Sequence, residues 1–463
     1  MGGQKGAMLP GALLGFVFAY LSGNQVIIDN FWIPAAVGAG AMFFGGTQTY
    51  GQTLGMAADR NNKRRHRLGR AGTFVKGAGW FGVFCGFEAV CFAAMAGKFS
   101  VLQLILLIAF VPVFTALGFF VLNWPQKPKE GKFPKLYFSE GRTETWGGIF
   151  FVCIEIILFG AITMNWFVVE MTLCGLVTGG LGFFLGNGLQ NVLNVRAKDN
   201  PFISPWKAME FSFGAIGGFG SALCFCFAYK NSGLSSYQSI WSPLPENFTR
   251  ICNIVWAVLF ILYVFIMLLK EPKPYLPAIQ TKFKSGQISE AQFIKLKKDA
   301  QSDGEQIFRR NIKFFGDEIF HWLVLSYLPI LFALLGTDLL PRLTICFVIF
   351  WVTTEKILTS DKSKDLKFRK AFKLFLVIVT AVVLVLQLLG FIAPTAFVFI
   401  ILMAFIHEIV ELVLDFSPFR LRKIKAEKCR DKSLIRALGS DITDRVICAV
   451  ELIIIIALVA VLC

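Results

Sequence analysis

Ionisable and amide side chains standing inside long apolar runs are the residues of this chain with chemistry to offer. The densest set is His407-Glu408-Ile409-Val410-Glu411-Leu412-Val413-Leu414-Asp415. On a helix His407, Glu411 and Asp415 recur every fourth residue and share a face. A carboxylate beside an imidazole can relay protons or hold a cation, and ionisable groups at membrane depth face a cavity or a partner. Glu411 stands where the second His of an HExxH zinc motif would be, so that metal site is not expected. Glu88, Glu155 and Glu451 stand singly in other apolar runs, while Glu170 and Glu210 lie nearer run ends. The expected ion-coupling residues are therefore Glu88, Glu155, His407 and Glu411. For Glu411 and Asp415 a second reading stays open, that of carboxylates snorkelling to an interface.

Two stretches bring amides into apolar helices: Gly45-Gly46-Thr47-Gln48-Thr49-Tyr50-Gly51-Gln52 and Gly186-Asn187-Gly188-Leu189-Gln190-Asn191. A lipid-facing helix gains nothing from Gln48, Gln52, Asn187 or Gln190. They line a polar substrate pathway, or they are interhelical hydrogen-bonding glue. The pathway is the expectation taken, because both stretches hold corresponding places when Val37–Asp59 is laid on Val177–Asp199 without a gap. Matches include Gly40/Gly180, Phe43/Phe183, Gly46/Gly186 and Asp59/Asp199. Gly and Phe are frequent enough here for chance matches. A true duplication would relate spans one to four to spans five to eight in parallel, an arrangement many transporters share.

The elements that must position these residues follow from hydropathy. The chain has 463 residues, 56% of them hydrophobic and only 16% charged, well off the soluble average. Apolar runs of membrane-crossing length predict an all-α polytopic membrane protein with about thirteen spans, twelve plus one. They cover 8–29, 32–55, 73–96, 100–123, 147–164, 168–193, 207–229, 251–269, 318–336, 340–357, 371–391, 393–415 and 445–463. Every second connection is basic: Arg60 to Arg70, Lys127 to Arg142, Arg196 to Lys207, Lys270 to Lys313, Lys356 to Lys373 and Arg420 to Arg436. With Lys5 these hold about 40 of the 46 basic residues, which puts them and the N-terminus on the cytoplasmic side and the C-terminus outside. The sequon Asn247-Phe248-Thr249 falls in an outside connection. No cleavable signal peptide is expected, since the first apolar segment lacks a small-residue cleavage site.

Four regions follow: residues 1–269, a bundle of about eight spans; 270–317, an amphipathic cytoplasmic connection; 318–415, the later spans; and 416–463, a basic loop with the final span. The net charge of +16 is read as a cytoplasmic collar facing anionic lipid. A nucleic-acid partner is not expected, because no basic face is interleaved with aromatics. The eleven Cys sit mostly in apolar runs without metal-ligand spacing, so neither metal nor cofactor is expected.

The connection after the second span reads Gly55-Met56-Ala57-Ala58-Asp59-Arg60-Asn61-Asn62-Lys63-Arg64-Arg65. It resembles the loop signature of the major facilitator superfamily, G-x-x-A-D-R-x-G-[RK]-[RK], with Asn62 where the family has its second Gly. The resemblance covers about ten residues, and 270–317 holds no second copy. It implies a secondary carrier for a small molecule or ion, in a plasma or inner membrane, with Asp59, Arg60 and Arg64 in an inner gate. The physical logic is that Asp59 can accept from an adjacent helix N-terminus while the cations pair with carboxylates nearby.

Two other classes stay open. A His within an apolar helix is also similar to membrane-bound O-acyltransferases, which would make the chain a lipid-modifying enzyme with His407 as base. A non-catalytic scaffold would use 270–317 as its docking surface.

Overall fold

The computed structural model describes residues 5–49, 53–59, 61–125, 144–196, 205–234 and 322–336, with single positions or short runs at 138, within 245–258, and at 283, 289–294 and 344. Every regular element among them is helical. In order they are α1 (Met8–Leu21), α2 (Gln25–Asp29), α3 (Trp32–Thr49), α4 (Thr53–Ala58), α5 (Lys63–Met95), α6 (Val101–Gly118), α7 (Trp146–Ile162), α8 (Trp166–Arg196), α9 (Pro205–Asn231) and α10 (Leu328–Leu334). One wide π-helical turn, Phe119–Asn123, continues α6, and another, Leu323–Tyr327, leads into α10. Among the described residues four helices are long and apolar enough to cross a membrane: α5, α6 with its π-helical end, and most of α8 and of α9. α1, α3, α7 and the Leu323–Leu334 helix are apolar but shorter.

α5 stands at the centre. Its apolar window is entirely buried, and it packs on α3, α4, α7 and α8. Small residues let the backbones meet. α1 and α3 close on each other at Gly11 and Gly38, α5 and α8 at Gly77 and Gly179, and α6 and α7 at Gly118 and Gly147. Polar contacts add to these seams. Trp80 Nε1 donates to the Met42 carbonyl at 3.0 Å, the hydroxyls of Thr178 and Ser221 join α8 to α9 at 3.0 Å, and the Gly147 N–H donates to Asn123 Oδ1 at 2.7 Å. Outward, α8 carries an exposed apolar row at fourfold spacing: Leu173, Val177, Leu181, Leu185 and Leu189. Water-soluble monomers rarely expose so long a strip.

Helix ends follow ordinary capping chemistry. Ser100 and Gln103 form a reciprocal capping box at the start of α6. α5 ends in a Schellman turn: Gly97 N–H bonds the Ala94 carbonyl at 2.8 Å and Lys98 N–H the Ala93 carbonyl at 2.9 Å. This requires a left-handed residue, and Gly97 has φ +68°. α7 ends the same way with Met164 at φ +54°. The other positive-φ residues among those described are Gly23, Gly233 and Gly336. All five fall in connections that carry few basic residues.

The main departure from the hydropathy reading is at α5. The third span was expected from residue 73, yet the helix opens ten residues earlier, at Lys63. Asn62 caps it, Oδ1 accepting from the Arg65 N–H at 3.1 Å, and Lys and Arg are strong helix formers. The basic connection is thus the first turns of the same helix. At the N-terminal end, the first run breaks at Ser22–Asn24, so α1 stops at Leu21 and α2 is a separate turn. Within 270–317, Ser289 and Gln292 exchange backbone and side-chain hydrogen bonds of 3.0 and 3.3 Å as a helical turn begins, and Phe283 stacks on Phe293 at 4.4 Å.

Candidate functional site

Glu88 lies about two turns from the C-terminal end of α5, and its side chain is fully buried. The room for it comes from glycine. A Cβ on Gly15 of α1 or on Gly38 of α3 would stand 2.7 Å from Glu88 Oε1, so the carboxyl fills the seam between those two helices. Neither carboxyl oxygen has a hydrogen-bond partner among the described residues. Nearby, an aromatic stack runs from α1 to α9, with Phe18 on Phe225 at 4.6 Å and Phe225 on Tyr229 at 5.1 Å. Isolated charge in such surroundings is costly.

Glu155, on α7, is also buried, and its oxygens likewise lack a partner among the described residues. Its surroundings differ from those of Glu88: the hydroxyl of Tyr327 lies within electrostatic reach of it, with Thr115 of α6 beside that hydroxyl. Tyr327 closes the π-helical turn before α10, a distortion often found where helices serve function.

The amides of α8 are engaged with one another and with α4. Asn187 Nδ2 donates to Gln190 Oε1 at 3.2 Å. Asn191 Nδ2 lies 3.3 Å from Asn187 Oδ1 and 3.0 Å from the Ala57 carbonyl. The same carbonyl meets His66 Nδ1 at 2.6 Å, so that ring nitrogen carries the proton. Asn191 is the residue that bridges helices, although Asn187 and Gln190 were the expected pathway residues. Its place four after Asn187 was the signal available. Gln48 belongs to the last turn of α3, and Gln52 lies outside the described residues.

In the proposed gate, Asp59 Oδ1 accepts from the Asn62 N–H at 3.3 Å, and Asp59 Oδ2 lies 3.5 Å from Arg65 Nε. Its described cationic partner is therefore Arg65, a residue of the same connection. Arg64 is exposed in the first turn of α5, and Arg60 lies outside the described residues. A buried ion pair that sequence reading missed joins Lys76 to Glu144. His407, Glu411, Asp415, Glu451 and the segment 416–463 also lie outside the described residues. Among the described residues no group of three or more His, Cys, Asp and Glu could hold a metal.

No protein-family model, no curated protein and no solved structure matches this chain.

Proposed function

We propose that this chain is a multi-pass membrane carrier that moves a small polar solute by alternating access, with proton or cation exchange at Glu88. In this reading about thirteen helices cross a plasma or inner membrane, with basic connections and the N-terminus on the cytoplasmic side. The Gly55–Arg65 connection works as an inner gate, as its resemblance to the major facilitator superfamily implies. Gln48, Gln52, Asn187 and Gln190 border the solute's path, and Glu155, His407 and Glu411 are further exchange groups.

The observation that carries the reading is the carboxyl of Glu88: sealed on the central helix, held in a glycine seam between α1 and α3, and without a hydrogen-bond partner among the described residues. A group serving only to bind helices together would be bonded to one of them. A glycine seam is also a surface on which two helices slide with little steric resistance, which is what alternating access needs.

The test uses the full chain in proteoliposomes loaded with a pH-sensitive dye and challenged with a panel of small polar solutes. Solute-driven proton movement is expected for at least one solute and is expected to vanish in Glu88→Gln. Solute entry that proceeds equally well in Glu88→Gln would remove Glu88 from the mechanism. Sidedness is tested separately. In glycosylating microsomes the chain's one sequon, at Asn247, should be modified, with the size shift lost in Asn247→Gln.

A further inference from the structure

A cleft of about 370 Å³ opens between the first two turns of α5 and the end of α8, lined by Lys63, His66, Arg67 and Arg70 on one side and Gly188, Asn191 and Val192 on the other. The four α5 residues are spaced i, i+3, i+4 and i+7, so they form one face of the helix. Three are permanent cations. Among the described residues no carboxylate comes within ion-pair distance of Lys63, Arg67 or Arg70, and the Asp59 carboxylate nearby is engaged by Arg65.

The geometry points to a phosphate-binding site. The guanidinium carbon of Arg70 sits 3.9 Å from the centre of the Phe184 ring. Stacking on its face leaves the N–H edge for a planar or tetrahedral oxyanion, the bidentate use to which Arg is suited. Gly188 leaves room for this pose: a Cβ there would stand 3.0 Å from Arg70 Nη1, and a larger side chain would crowd the guanidinium. His66 has committed Nδ1 to the Ala57 carbonyl, which leaves Nε2 as its other polar atom. Asn191, itself buried, adds an amide to the wall. Strong donors converging on one cavity, with no anion among the described residues, fit a phosphomonoester better than a neutral solute. The volume exceeds that of a bare phosphate and accommodates a phosphate with a small attached group. Two sources share this chemistry: a lipid headgroup, reached from the interface where a basic helix end meets the bilayer, and a soluble phosphate ester. The inference does not depend on the carrier reading.

The experiment measures binding to the full chain in detergent micelles at fixed ionic strength. The probes are dioctanoyl phosphatidic acid, glycerol 3-phosphate and sodium chloride. Wild type is expected to bind a phosphate probe, with affinity lowered about tenfold by Arg70→Gln or Arg67→Gln. Gly188→Leu, which changes no charge but crowds the Arg70 guanidinium, should weaken binding to a similar degree. Lys135→Gln, which removes a cation from another basic connection, should leave it unchanged. Preference for phosphatidic acid over glycerol 3-phosphate assigns the site to lipid, and equal affinity assigns it to a soluble ester. Equal loss in Lys135→Gln, full binding in Gly188→Leu, or displacement by chloride alone at the same ionic strength would overturn the site.

Discussion

Lys76 Nζ lies 3.5 Å from Glu144 Oε2, with the lysine side chain 5% exposed and the glutamate 0%. The pair ties the central helix α5 to the residues that lead into α7. Two buried opposite charges gain little over a well-packed apolar pair, but removing one takes away the opposite charge beside the other. Glu144→Gln or Lys76→Met alone should destabilise the fold by about 3–5 kcal/mol. The double substitution Lys76→Met/Glu144→Leu should recover most of that loss. Thermal melting of the detergent-solubilised protein, followed by size-exclusion chromatography, reads all three. Equal melting of wild type and the single variants would mean the pair is solvated.

The glycine seams should tolerate no side chain where backbones meet. A Cβ at Gly77 would stand 2.6 Å from the Cβ of Phe183 while also meeting the Gly179 backbone. Gly77→Ala must therefore force α5 and α8 apart, at a cost of about 1–3 kcal/mol. Gly218, around which a Cβ meets nothing within 4 Å, should accept Ala freely. Parallel melting curves for the two variants check the contrast, and equal stability would show that α5 and α8 do not meet backbone to backbone at Gly77.

What could be read in the sequence depended on how local the cause was. α6 was legible almost to the residue, expected over 100–123 and found over Val101–Asn123 with its π-helical end, because a nearly unbroken apolar run of membrane-crossing length fills it. The start of α5 was not, because hydropathy marks where a helix enters an apolar medium, and Asn62 decides where it begins. Glu88 and Glu155 stood out as carboxylates among apolar neighbours. The glycines that make room for Glu88 lie on two other helices, and no spacing rule links residue 15 or 38 to residue 88. Lys76 and Glu144 escaped for the same reason: their partnership spans a long connection and exists only in three dimensions.

Asn191 and His66 converge on one acceptor, the Ala57 carbonyl at the end of α4. Each donor alone keeps that carbonyl satisfied. Asn191→Ala and His66→Phe should therefore each cost about 0.5–1.5 kcal/mol. The double variant should cost more than the sum, since a buried acceptor is then left bare. A double-mutant cycle on melting temperatures measures the coupling. Strict additivity would place the two bonds in independent roles.

Asp59 offers a way to separate gating from folding. Its Oδ1 accepts from the Asn62 backbone, and its Oδ2 faces Arg65, in a pair that is 37% exposed on the arginine side and 28% on the aspartate side. An ion pair that accessible to solvent contributes little to stability, roughly 0–1 kcal/mol. Asparagine keeps the hydrogen-bond acceptor and loses the charge. If the loop gates the proposed carrier, Asp59→Asn should leave melting nearly unchanged while slowing solute-driven proton movement in proteoliposomes, because the proposed clasp on the inner face loses its charge. The charge-exchanged variant Asp59→Arg/Arg65→Asp should regain part of the rate. Unaltered kinetics in Asp59→Asn would strip the loop of any gating role and leave it a helix-capping turn on the basic side of the bundle.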